Sequence, residues 1–220
     1  MRILLIGDYA TDVFVQGRCE RLSPERPCPV FLPMASGSNA GMAGNVEANL
    51  RSLSPGIEVT TLYSENPSVK IRYVDKASNQ HLLRVDTDPA PAHFPISRFL
   101  DAVNSGTFSA VVLSDYHKGL LNTDNMGAIA DICDKRGIPV FCDTKAILSD
   151  WSRSITAIKI NAKEYAAQLA ANVKNPWDYC RNLIVTQGGD GIVLFAPDGS
   201  ERYRAKHGDK DIHVYDTVGC

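Results

Sequence analysis

The chain has 220 residues, 44% apolar and 22% charged, with a formal net charge of −2 at pH 7. That balance belongs to an ordinary globular protein and lacks the clustered basic footprint of a nucleic-acid binder. No apolar run approaches the roughly 18 residues that a membrane helix needs.

Met1-Arg2-Ile3-Leu4-Leu5-Ile6-Gly7 opens with an apolar stretch too short for a signal segment. It reads as a buried strand over residues 2–6. A cytoplasmic location is expected, with neither membrane nor nucleic acid as partner. Residues 13–33 are apolar but carry Pro24, Pro27, Pro29 and Pro33, which excludes a long helix. Residues 44–53 place Val46, Leu50 and Leu53 at helical spacing, and Ser54-Pro55-Gly56 ends that helix. A second strand follows over 58–63. Residues 69–74 and 80–85 flank Asp75-Lys76-Ala77-Ser78-Asn79 as a β-hairpin, which joins 13–33 in a smaller β-layer. Beyond it come strand 110–113, helix 124–135, Gly137-Ile138-Pro139 and strand 140–142. Strand 157–160 leads into helix 162–171. Strand 182–186 precedes a closing hairpin of 191–195 and 201–205 across Pro197-Asp198-Gly199. The alternation of short apolar runs with amphipathic stretches predicts an α/β fold with a mostly parallel sheet flanked by helices.

In open parallel sheets, ligands lie outside the carboxyl ends of the strands. The residues that follow each apolar run here are polar: Gly7-Asp8 with Asp12, Ser114-Asp115-Tyr116, Asp143-Thr144-Lys145, Asn161 with Glu164, Thr186-Gln187-Gly188-Gly189, and Asp216-Thr217-Val218-Gly219. Each alone is also what a turn or helix cap selects. As a set they predict a binding edge. The six cysteines form no Cys-x-x-C pair and the five histidines are dispersed, so neither a disulfide framework nor a zinc site is expected. His117 is the one histidine inside a motif. No Gly-x-Gly-x-x-Gly follows the first strand, which argues against a nicotinamide-binding enzyme.

Gly7-Asp8-Tyr9-Ala10-Thr11-Asp12 resembles the opening of the ribokinase (PfkB) sugar kinases, and Arg21-Leu22-Ser23-Pro24-Glu25-Arg26-Pro27-Cys28-Pro29-Val30 resembles the Ile-Ser-Pro-Glu-x-Pro-x-Pro segment of their heptose-7-phosphate kinases. Gly41-Met42-Ala43-Gly44-Asn45-Val46-Glu47-Ala48-Asn49 is similar to Gly-Gly-Ala-Ala-Asn-Val-Ala-x-Asn, with Met42 replacing the second glycine. Leu113-Ser114-Asp115-Tyr116-His117-Lys118-Gly119 resembles Leu-Ser-Asp-Tyr-x-Lys-Gly, and Asp143-Thr144-Lys145 parallels Asp-Pro-Lys. The resemblance implies a single ribokinase-like α/β domain over 1–220, with a β-lid from about 13–35 and 66–86. It implies substrate contacts from Asp8, Asp12, Gly41, Asn45, Lys70, Arg72, Arg84 and Asp115. Carboxylates suit a polyol because each can accept from two hydroxyls, and arginine offers a fork for an existing phosphate. The same Lys70, Arg72 and Arg84 could equally form a solvated strand face.

Asn161-Ala162-Lys163-Glu164 matches the family's Asn-x-x-Glu motif, which implies Mg²⁺ at Asn161 and Glu164. Thr186 with Gly188, and Asp216 with Gly219, match its nucleotide and phosphate turns. ATP and Mg²⁺ are the cofactors implied, a sugar phosphate the substrate, and a homodimer through the lid the assembly. Two departures accompany these matches. Only five residues separate Tyr63 from Val69, where the family carries a further helix and strand. The signature Asp-Thr-x-Gly-Ala-Gly-Asp begins at Asp216 and stops at Cys220, so its catalytic Asp is expected beyond the chain and turnover by these 220 residues is expected to be weak. The competing expectation is a non-catalytic sugar-phosphate-binding or dimerising module.

Overall fold

The structure, a computed structural model, describes residues 1–90 and 93–205. In chain order the first strands and helix are β1 (Arg2–Gly7), β2 (Tyr9–Leu22), β3 (Pro29–Met42), α1 (Ala43–Leu53), β4 (Glu58–Leu62), β5 (Ser68–Asp75) and β6 (His81–Thr87). They are followed by α2 (Ile96–Ser105), β7 (Ala110–Ser114), α3 (Thr123–Lys135), β8 (Val140–Asp143), β9 (Ala157–Asn161) and α4 (Ala162–Ala170). Strands β10 (Leu183–Thr186), β11 (Ile192–Phe195) and β12 (Glu201–Ala205) complete the described chain.

Eight strands form the main sheet in the order β12-β11-β10-β9-β8-β7-β1-β4. It is parallel from β4 to β10, and β11 and β12 return antiparallel. Strand β1, between β7 and β4, is a continuous apolar run, Ile3-Leu4-Leu5-Ile6, buried throughout. That is the pattern of a strand covered on both faces. Helix α3 begins with a capping box between Asn122 and Asn125 and turns Met126, Ile129, Ala130 and Cys133 inward at helical spacing. These residues join Leu4, Ile6, Leu113 and Ile158 in the principal core. Strand β4 is an outer strand, and Arg51 of α1 donates to its Val59 carbonyl at 2.7 Å.

The smaller layer is a separate mixed sheet ordered β3-β2-β5-β6. Its hairpin runs over Ser68–Asp75 and His81–Thr87, while the proline-rich segment forms the long antiparallel ribbon β2–β3. The ribbon reaches further than residues 13–33, because β2 starts at Tyr9 and β3 continues to Met42. Its prolines fall where strands tolerate a missing donor. Pro24 and Pro27 lie between the strands, Pro29 opens β3, and Pro33 sits on β3, the edge strand, beside a register shift at Gln16/Gly17.

The strands and helices stated above from sequence are present with ends displaced by a residue or two, as for β1, which runs on to Gly7. Helix α2 was not anticipated, although Ile96, Phe99, Leu100 and Val103 follow Pro95 at helical spacing. The strong punctuation of Pro89, Pro91 and Pro95 hides a helix of only ten residues. Phe99 is fully buried and fastens α2 to the core. Phe99→Ala is expected to lower unfolding stability by about 3–5 kcal/mol in denaturant titration, the usual cost of a large core cavity.

Candidate functional site

Strand registers bring the polar residues to one edge. Gly7 lies beside Ser114 and Ser114 beside Asp143, while Asn161 lies beside Thr186. What the side chains do there differs from residue to residue. The Asp8 carboxylate is buried and accepts from the N–H groups of Tyr116 (2.8 Å), Lys118 (3.1 Å) and Leu120 (3.3 Å). It therefore pins the loop after β7 to the end of β1. Burial pushes the Asp8 carboxyl up from its ordinary value, against the pull of those donors. Asp115 is buried too, accepting from the His117 N–H and from the Thr144 hydroxyl at 2.7 Å. Neither lines the cavity between the second sheet and α1. Asp143 is paired with Lys159 at 3.0 Å.

Asn161 and Glu164 form a reciprocal capping box at the start of α4. Asn161 Oδ1 accepts from the Glu164 N–H at 2.9 Å, and Glu164 Oε2 accepts from the Asn161 N–H at 2.7 Å. Among the described residues no group of three or more His, Cys, Asp or Glu could hold a metal ion. Thr186 ends β10, and Gly188 follows with φ of 57° in a short 3-10 turn. Asp216 and Gly219 lie outside the described residues, as does Cys220.

A cavity of about 760 Å³ lies between the second sheet and the start of α1. Its lining includes Asp12, Gly41, Asn45, Lys70, Arg72 and Arg84, so six of the eight residues expected to meet substrate surround one space. Strand alternation explains the grouping. Asp12 is level with Lys70, Phe14 with Arg72, and Arg72 with Arg84, all facing the cavity. Gly41 is required by close approach, since a Cβ there would collide with Asp12 Oδ2.

The three cations are not equivalent. Arg72 donates to Asp12 Oδ1 at 2.5 Å, both side chains being about nine-tenths buried, and its guanidinium lies 5.2 Å over the Phe14 ring. Arg84 holds Asp86 through two bonds of 2.7 and 2.6 Å, half exposed. Lys70 makes no hydrogen bond or ion pair among the described residues. Burial lowers its pKa, Asp12 acting against that effect and Arg84 with it. Phe14, His81 and Tyr116 also line the cavity. Tyr116 belongs to the binding edge expected from sequence, whereas Phe14 and His81 were not selected there, though Phe14 stands two residues from Asp12 on the same strand face. Burial raises the pKa of Tyr116, and Asp143, Glu164 and Asp12 push the same way, which places this phenol in the field of both halves of the edge. His117 lines a neighbouring cavity with His93 and Lys118.

Met42 also lines the main cavity and is 6% exposed. Its backbone, at φ 53° and ψ −125°, lies in a region that glycine occupies freely and other residues rarely. It is held there because β3 ends on it, beside Tyr9, while the next N–H, from Ala43, donates to the Asp8 carbonyl at 2.9 Å.

No protein-family model matches the chain. The chain is 28% identical over 243 residues to the bifunctional protein HldE of Bradyrhizobium diazoefficiens, covering 90% of this chain and 49% of that one. It spans about half the length of the curated relatives it matches. Because the alignment is longer than the chain, the relative carries residues within the matched span that are missing here. Among solved structures, an Arabidopsis thaliana ribokinase complexed with ribose and ATP superposes with a TM-score of 0.62 at 13% identity, covering 93% of this chain and 77% of that one. Phosphofructokinase-2 from Escherichia coli in complex with fructose-6-phosphate gives 0.61 at 13% identity, covering 93% and 79%. The fold is ribokinase-like, and the resemblance to PfkB carbohydrate kinases of the heptose-kinase type holds across nearly the whole chain.

The backbone at position 42 makes a reversed ordering. Glycine in place of alanine ordinarily lowers stability by about 0.5–1 kcal/mol. Here Met42→Gly is expected to be more stable than Met42→Ala by about 1–3 kcal/mol, the strain of a non-glycine residue in this region. Chemical denaturation of the two variants checks it, and the ordinary ordering would mean that the backbone relaxes.

Proposed function

We propose that this chain forms the sugar-binding part and much of the phosphoryl-transfer edge of an ATP-dependent carbohydrate kinase acting on a heptose 7-phosphate or a related sugar phosphate. The observation that carries the reading is the cavity in which the Asp12 carboxylate, the Asn45 amide and the unpaired Lys70 ammonium meet. A carboxylate and an amide read hydroxyls, and an ammonium in a partly dehydrated cavity attracts a phosphate. With Arg72 held by Asp12 and Arg84 by Asp86, Lys70 is the favoured phosphate contact. Asp8 acts in this reading by positioning Tyr116, the residue after Asp115, at the cavity wall.

ATP is assigned to the other end of the edge, at Asn161, Glu164, Thr186 and Gly188. Mg²⁺ usually keeps waters and binds one or two carboxylates together with substrate phosphates. Glu164, with one oxygen outside the capping box, and the Asn161 amide fit that modest demand and would hold the ion beside the nucleotide phosphates. The ion would neutralise charge on the group being transferred. Asp12 and Asn45 orient the acceptor, Lys70 anchors its existing phosphate, and the first turn of α4 faces the nucleotide.

A lid-mediated homodimer is part of the proposal. The face of the second sheet turned away from the cavity carries Val13, Val15, Ile71, Tyr73, Leu83 and Val85 in adjoining rows. Leu83 is 57% and Val85 39% exposed, unusual for apolar residues gathered on one face.

Isothermal titration with heptose 7-phosphate tests the cavity. Lys70→Gln is expected to weaken binding about 10–100-fold, the worth of a hydrogen bond to a charged group, with little change in melting temperature. Equal affinity in wild type and variant would remove Lys70 from the site. Sugar-dependent ADP release is expected to be weak, in line with the impaired turnover expected of these 220 residues, and to vanish in Asp12→Asn; binding with no release at all would favour the non-catalytic sugar-phosphate-binding module. For the assembly, light scattering of Leu83→Lys with Val85→Lys should show a monomer where wild type is a dimer.

A further inference from the structure

Among the described residues that line the main cavity, Met42 is the one non-glycine residue with a positive φ. An observed backbone outlier at a binding cavity is a reason to look for a role. Met42 is 6% exposed, stands where β3 ends and α1 begins, and lines the cavity, so its side chain takes up room there that a glycine would leave open. The lining just before it on β3 is small: Ala40 and Gly41 precede Met42 there. Met42 is the bulkiest of the β3 residues that line the cavity. It offers a weakly polar, polarisable surface and no strong hydrogen bond. A hydroxyl-bearing carbon placed there would lose its partners, while a shorter sugar would leave Met42 undisturbed.

We propose that Met42 is a specificity-determining residue that favours a sugar phosphate one carbon shorter, of hexose size, over a heptose phosphate. The inference rests on the sugar-phosphate reading of the cavity and narrows its substrate class. Bulk, rather than charge, sets the preference. Asp12, Asn45 and Lys70 offer the same polar contacts to both sugars, and one carbon more or less against a filled wall changes discrimination by about 10–200-fold.

Fructose 6-phosphate and sedoheptulose 7-phosphate differ by one carbon and its hydroxyl, and they serve as the probes. Calorimetric affinities for both are measured on the wild-type chain and on Met42→Gly, Met42→Ala and Met42→Leu. The ratio of the two affinities in wild type should favour the six-carbon sugar. In Met42→Gly and Met42→Ala it should move about tenfold or more toward the seven-carbon sugar, while Met42→Leu keeps the wild-type ratio. A merely structural role would alter both affinities together and leave the ratio fixed. An unchanged ratio overturns the inference and leaves the cavity reading intact. A shift in the glycine variant alone also overturns it, since that would assign the effect to the backbone. If neither sugar phosphate binds any of the four proteins, both the inference and the sugar-phosphate reading fall.

Discussion

A carboxylate and a guanidinium buried together must answer each other, and the organisation of the second sheet follows from Asp12 and Arg72 doing so. The two residues stand 60 positions apart on β2 and β5, and each side chain is about nine-tenths buried. Removing either would strand the other as an uncompensated buried charge, typically at a cost of about 3–5 kcal/mol. Their pairing fixes β2 against β5 near the cavity and sets Arg72 over Phe14. Gly41 is bare on the facing strand because the Asp12 carboxylate occupies the space a side chain would need. The same pairing leaves Lys70, one step along β5's inward face, as the cavity cation with no hydrogen bond or ion pair among the described residues.

The two sheets divide the work. The parallel sheet aligns strand ends so that loops from β1, β7, β8, β9 and β10 share one edge, and the mixed sheet supplies a charged face opposite α1. Asp8 links the two levels. It lies at the turn where β1 passes into β2, and its carboxylate gathers three N–H donors from the loop after β7. Tyr116 is carried on that loop into the cavity wall. A buried carboxylate usually needs such a set of donors to remain tolerable.

Much of this order was legible in the residues. The apolar run of β1 and the spacing in α1 and α3 each translate directly into an element, because burial on two faces or on one stripe leaves a clear period. The long ribbon β2–β3 was harder, since its prolines forbid a helix without declaring a strand; the edge position that tolerates them is a tertiary fact. Residue types around the cavity were legible as a set, but their roles were not. Whether an arginine faces a ligand or a carboxylate depends on a partner 60 residues away, as Arg72 and Asp12 show. Asn161 and Glu164 carry a similar ambiguity: the spacing that suits a hydrated cation also suits a capping box, and in the structure the box is formed. The conformation of Met42 had no sequence signal apart from its place in a glycine motif.

The outer strand β4 shows how the fold limits unwanted growth. A bare sheet edge is a template on which other chains can assemble. Glu47 grips Arg51 at 2.7 Å and also accepts from the Thr61 hydroxyl at 2.7 Å, while Arg51 reaches the Val59 carbonyl. A helix side chain thus occupies a backbone acceptor that an incoming strand would require. The arrangement makes α1 a guard against edge-to-edge aggregation as well as a wall of the cavity, so a helix face optimised only for ligand would leave the protein less soluble.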